Sequence, residues 1–168
     1  MAASAAMAIM ATVAILDSTP AIAQPKVLKV AMHADVRTLD PFWTTQTIAA
    51  IRGMMVYDTL FSSDHDLNAK PQMVDTWTVS PDRLVYTFKL RDGLKFHDGT
   101  PVTSKDVVAS MNRWGKRDGA GKQLMGYTKS LIAKDAKTFE WALTEPYGLL
   151  IDTLAKTGTS IPFVMREK

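Results

Sequence analysis

The sequence predicts a mixed α/β fold. Two kinds of periodicity carry that reading: Leu84, Tyr86, Phe88 and Leu90, and again Phe139, Trp141 and Leu143, alternate as half-buried strands do, whereas Val107, Met111 and Trp114 recur at helical spacing. Their order along the chain is strand, helix, hairpin, helix, strand, helix, with no internal repeat. At 168 residues and 46% apolar residues, the chain has material for one compact domain or one lobe of a larger assembly.

Val27 to Met32 is apolar enough for a short buried strand, and it runs into His33 to Pro41, where Pro41 keeps Asp40 out of helical geometry and marks a loop. From Thr44 to Tyr57 a helix is expected, with Ile48, Ile51 and Met55 on one stripe packed against the first strand. Thr76 to Val79 and Leu84 to Leu90 flank Ser80-Pro81-Asp82-Arg83, a tight-turn tetrapeptide, and so form a hairpin. Asp92-Gly93 and Asp98-Gly99 place turns on either side of Leu94-Lys95-Phe96. Thr103 and Asp106 form a capping pattern that opens a helix, and the glycines of Gly115 to Gly121 end it in a loop. A last helix after Pro146 groups Leu150, Ile151 and Leu154.

Met1 to Leu16 is almost wholly apolar, too short to span a bilayer, and followed by Pro20 and the Ala21-Ile22-Ala23 site at which a secretory signal would be cut. Cleavage after Ala23 and export follow, although the segment lacks the usual positive charge; the alternative is a buried Ala-rich helix. With no cysteine, there is no disulfide scaffold, thiolate metal site, Cys nucleophile or lipid-anchored Cys. The net charge of +3 is spread over interleaved acids and bases, which gives no basic stripe for nucleic acid.

Catalytic and cofactor motifs are not found. Gly121-Lys122 resembles the end of a phosphate loop, but Lys116 and Gln123 stand where that motif needs Gly and Ser or Thr. His33, His65 and His97 show no paired helical spacing, so no metal site is expected, and no Ser lies in G-x-S-x-G. Trp77, Trp114 and Trp141 fall on apolar stripes and are assigned to the core. Trp43 does not, and beside Thr44 and Thr45 it offers an aromatic face and hydroxyls able to grip a small ligand, or else serves as a lid over the first strand.

Leu39-Asp40-Pro41, Val56 to Phe61, Pro71 with Trp77 and Ser80, Tyr86 to Gly93, and Lys95-Phe96-His97-Asp98-Gly99-Thr100-Pro101-Val102-Thr103 before Asp106-Val107-Val108 together resemble the family 5 extracytoplasmic solute-binding proteins of ABC transporters, the dipeptide, oligopeptide and nickel group. The resemblance covers residues 27 to 163. It implies a type II-like periplasmic binding protein fold, of which residues 24–168 would be the start of lobe one and the small extra subdomain, without the second lobe. The implied function is non-enzymatic: binding a peptide or similar small solute and handing it to a membrane permease, the protein's link to the membrane, with no cofactor. The alternative is a non-transporting piece of such a protein, a remnant or an interaction module. Ligand sites in the family draw on the loop after the first strand, which puts the candidates at Asp35, Thr38, Trp43, Thr44 and Thr45, with Tyr127 added from Met125-Gly126-Tyr127.

Overall fold

The computed structural model describes residues 27–29, 31, 34, 35, 37–158 and 160–167. The chain divides into two units, residues 1–31 and 32–168. Of the first, the signal segment expected at residues 1–23 lies outside the described residues. Val27, Leu28 and Lys29 are described, and they do not form the predicted buried strand: Val27 and Leu28 are 74% and 86% exposed. No segment among the described residues pairs with them, and an apolar run without a ladder partner has nothing to satisfy its N–H and C=O groups as a strand. Val30 and Met32, the rest of that prediction, lie outside the described residues.

The larger unit is built on a four-stranded antiparallel sheet. The predicted hairpin supplies β4 (Val74–Val79) and β5 (Val85–Leu90), paired Val79 to Tyr86. Its turn closes through Ser80, whose N–H donates to the Val85 carbonyl and whose Oγ accepts from the Val85 N–H, both at 2.9 Å. Earlier in the chain come three very short strands, β1 (Asp58–Thr59), β2 (Phe61–Ser63) and β3 (Ala69–Pro71), which the sequence patterns do not announce. Later come β6 (Thr128–Ala133) and β7 (Thr138–Leu143), giving the order β4-β5-β7-β6. Only β7 is predicted from alternation; β6 is an edge strand with no clean pattern.

Tyr86, Phe88, Leu90, Phe139, Trp141 and Leu143 are buried on one face of that sheet, and the Phe88 and Phe139 rings stack at 4.9 Å. Helix α2 (Ser104–Gly115) packs against β6 and β7 and contributes Val107, Met111 and Trp114, all fully buried. It starts as predicted: the Asp106 carboxylate accepts from the Thr103 N–H at 2.8 Å and from its hydroxyl at 2.7 Å. Trp77 departs from its core assignment. It lies on the edge strand β4 opposite the buried Phe88, edge-on to Phe61 of β2 at 5.3 Å, and remains 39% exposed because, among the described residues, no strand pairs with the outer side of β4.

Two helix predictions need correction. Helix α1 (Thr47–Val56) exists, but its buried positions are Ile48, Ala49 and Gly53, while Ile51 and Met55 are 37% and 73% exposed. The packing partner decides this: Phe163 of β8 (Phe163–Val164) lies so close to Gly53 that an added Cβ would stand 2.5 Å from its ring. The glycine, rather than the apolar stripe, marks the buried face. The second correction is the Gly115–Gly121 loop. After a turn at Lys116 and Arg117 the chain re-enters a helix, α3 (Gly119–Tyr127), capped by Asp118, whose Oδ1 accepts from the Gly121 N–H at 2.9 Å. Here the glycines allow close approach of two helices. A Cβ on Gly121 would stand 3.0 Å from Gly115 Cα, and one on Gly115 would meet Met125 at 2.5 Å. The last predicted helix forms as α4 (Leu150–Leu154), with Leu150 and Leu154 fully buried. No described helix is long and apolar enough to cross a membrane.

Candidate functional site

The loop around Pro41 is fastened from three sides. The Asp40 N–H donates to Thr38 Oγ1 at 3.3 Å, and Asp40 Oδ1 accepts from the Phe42 N–H at 3.0 Å. The other carboxylate oxygen pairs with Arg113 of α2, whose guanidinium also lies 5.3 Å over the Phe42 ring. Arg52 of α1 donates to the Leu39 carbonyl at 2.9 Å. Phe42 is thereby buried, and the next residue is turned outward: Trp43 is 61% exposed. The Arg117 guanidinium, from the turn between α2 and α3, covers its indole at 3.6 Å from the ring centroid.

Phe42, Trp43, Thr44, Thr45, Arg117 and Ser160 line an open cleft of about 360 Å³. Its back is rigid. Trp114 Nε1 donates to the Ser160 carbonyl at 2.6 Å, and Ser160 itself is held at φ 52°, a left-handed backbone that a serine adopts at some cost. Thr44 Oγ1 accepts from the Gln46 N–H at 3.1 Å and sets the entry to α1. The acids beside the cleft are occupied elsewhere: Asp40 by Arg113, and Asp118, which is buried, by Lys156 and the α3 cap. Among the described residues no carboxylate lies within ion-pairing distance of Arg117.

Of the predicted ligand residues, Trp43, Thr44 and Thr45 are brought together here. Thr38 is half-buried and supports the loop from behind, and Asp35 is exposed and does not line the cleft. Tyr127 lies at the far end of α3, stacked on Tyr147 at 4.8 Å. Arg117 and Ser160 escape the sequence reading. Arg117 sits in the glycine-rich run assigned to a loop, and only the capped second helix gives that position a fixed direction.

A second hollow, about 380 Å³, is lined largely by apolar side chains, among them Tyr57, Met73, Phe96, Val102 and Met165, with Arg166 at its edge. Arg166 lies 4.8 Å over the Phe96 ring and donates to both Asp98 carboxylate oxygens, at 2.7 and 2.8 Å. The Thr100 hydroxyl, then Arg166, then the Thr100 N–H hold the Asp98 carboxyl well below the usual carboxylate range. His97 also borders this hollow, and His65 pairs with Asp66 at the surface. The Phe96–Thr100 turn therefore serves to clamp the chain leaving β8.

Residues 68–168 match the bacterial extracellular solute-binding proteins, family 5 middle region. The chain belongs to this family. A probable peptide ABC transporter periplasmic-binding protein of Sinorhizobium fredii (strain NBRC 101917 / NGR234) is 43% identical over 164 residues, 98% of this chain and 30% of its own length. The glutathione-binding protein GsiB of Salmonella typhi is 33% identical over 146 residues, 84% of this chain and 28% of its own. Among solved structures, the PBP AgaA of A. tumefacien R10 in complex with agropinic acid superposes with a TM-score of 0.68 at 29% identity, covering 79% of this chain and 27% of that one. The sequence resemblance and the mixed α/β fold of the family are thus both found. The chain spans about 30% of the length of the curated family 5 relatives it matches.

Proposed function

We propose that this chain supplies part of the substrate-binding component of an ABC importer, which takes up a peptide or similar small solute in the periplasm and delivers it to the membrane permease. The observation that carries the reading is the 43% identity, over nearly the whole chain, to a probable peptide ABC transporter periplasmic-binding protein. The glutathione-binding relative and the agropinic acid complex extend the solute class to small acids. Trp43, Thr44 and Thr45 face the solute in this reading: an exposed indole supplies apolar area, and hydroxyls fix orientation, as small-ligand sites require. Thr38 acts behind them through Asp40. Export by a signal cleaved after Ala23 belongs to the same reading, and the protein's work is binding and release rather than bond chemistry.

The test is uptake. Deleting the reading frame from the bacterium that carries it should abolish or sharply slow accumulation of labelled short peptides, and a plasmid copy should restore it. Unchanged uptake across a panel of di- to pentapeptides and glutathione would contradict the proposal.

A further inference from the structure

We propose that the hollow between the β4–β5 turn and the loop at Pro146 is a docking site for a second protein, whose extended segment presents one acidic side chain to Arg83 and Tyr86. The site shares no residue with the cleft at Trp43 and stands independently of the receptor reading.

The hollow, about 240 Å³, is lined by Val79, Arg83, Tyr86, Pro146, Tyr147 and Gly148. Tyr86 is only 6% exposed, yet among the described residues its hydroxyl makes no hydrogen bond and is not sealed from solvent, so it opens into this hollow. The neighbouring Tyr147 differs, since its hydroxyl lies 3.3 Å from Thr153 Oγ1. Buried hydroxyls are ordinarily paired, and one left open at the floor of a hollow marks where an outside group is met. Arg83 is exposed and has no carboxylate partner among the described residues: Asp82 accepts from the Leu84 N–H at 3.1 Å and from the Ser80 hydroxyl, and Glu145 forms no ion pair. The turn does not need the Arg83 side chain. Only its N–H is used, donating to the Ser80 carbonyl at 2.8 Å, and its backbone sits at φ 58°, where glycine or asparagine is the usual choice.

Both converging groups donate, so their complement is an anion, and a carboxylate matches the planar guanidinium and the phenol together. Size and surroundings select a protein segment over a free small acid. The hollow is smaller than the usual small-ligand pocket of about 300 Å³ or more and takes a single side chain. Beside it, β4 is an edge strand whose outer N–H and C=O groups have no ladder partner among the described residues, and Trp77 and Val79 are 39% and 41% exposed. An extended segment laid along β4 pairs with those groups, covers Trp77 and Val79, and delivers its acid to the hollow at the end of the strand. The opposite edge, β6, carries Lys129 and is followed by Lys134, the charged form in which edges are kept free of partners.

The test is titration of the isotopically labelled protein, followed by amide chemical shifts, with acetyl-Thr-Val-Glu-Val-Thr-amide and with its Gln counterpart, whose blocked ends leave the central side chain as the one difference in charge. The Gln peptide should bind about 10-fold more weakly, as expected for loss of a charge-assisted hydrogen bond at a partly exposed site. Shifts should centre on residues 76–86 and 146–148. Tyr86→Phe, which removes the hydroxyl and keeps the ring, should weaken the Glu peptide about 3- to 10-fold. Arg83→Gly should leave the two peptides equal while keeping or raising the thermal midpoint, because glycine suits the left-handed backbone, a combination that a merely structural arginine would not give. Equal binding of the Glu and Gln peptides by the unmodified protein, binding of neither, or shifts centred on the Trp43 cleft would overturn the proposal. Acetyl-Glu-amide binding as tightly as the pentapeptide would overturn it too, since a free small acid and not a segment would then be the occupant.

Discussion

At the scale of single residues, the molecule is held by short polar side chains that close turns and caps. Asp98 is the clearest case, since Thr100 and Arg166 both bind its ionised form. Its folded pKa is depressed, so its contribution to stability is present above the unfolded value of about 3.9 and is lost as the pH falls towards the folded value. Asp64, Asp82, Asp92 and Asp135 are shifted in the same direction, led respectively by the Asn68 N–H, the Ser80 hydroxyl, the Lys137 ammonium and the Lys137 N–H. Stability should therefore rise with pH from acid conditions to about pH 5 and then level off. Asp98→Asn should lower the urea midpoint at pH 6, with a smaller deficit at pH 3. Because Asp98 is half exposed, solvent keeps the effect modest. A deficit equal at both pH values would show that the clamp acts through shape and not through charge.

At the scale of elements, the joint between α2 and α3 depends on two glycines with no side chain between them. Gly121→Val should force the helices apart and cost about 1–3 kcal/mol, as overpacking of a filled interface does. Gly119→Ala is the control, since a Cβ there meets nothing within 4 Å, and it should leave the thermal midpoint unchanged or slightly higher. A variant at Gly121 that melts with the parent would contradict the close packing. The same joint shows where the sequence is legible. Elements that advertise themselves by their own chemistry, such as the Thr103–Asp106 cap, the Ser80–Arg83 turn and the alternation of β5 and β7, can be read from neighbouring residues alone. Elements whose form is set by a distant partner cannot: Gly53 hides the buried face of α1 because the apolar group filling the gap, Phe163, comes from 110 positions away. The run Gly115–Gly121 departs from its loop assignment for the same reason, since glycine's low helix propensity is overridden by contact between helices. The candidate site divides along the same line. Trp43, Thr44 and Thr45 are neighbours in sequence and stand out together, whereas Arg117 and Ser160 join them only through the fold.

At the scale of the whole molecule, the described part of the chain places an aromatic and hydroxyl-lined cleft on a braced support. Phe42 and Trp114 are buried behind it, Arg113 ties Asp40 to α2, and Lys156 ties Asp118 to the segment after α4. That arrangement suits a surface that receives a solute without collapsing when empty, consistent with a family of extracellular binding proteins. Whether solute is gripped by the segment after Pro41 is decided by hydrogen–deuterium exchange, measured by mass spectrometry with and without saturating Ala-Ala-Ala. Peptides spanning residues 38–46 and 114–121 should exchange more slowly with solute present, with the β4–β5 hairpin unaffected. Protection confined to the apolar hollow beside Tyr57, Phe96 and Met165, or spread evenly over the sheet, would contradict a grip there.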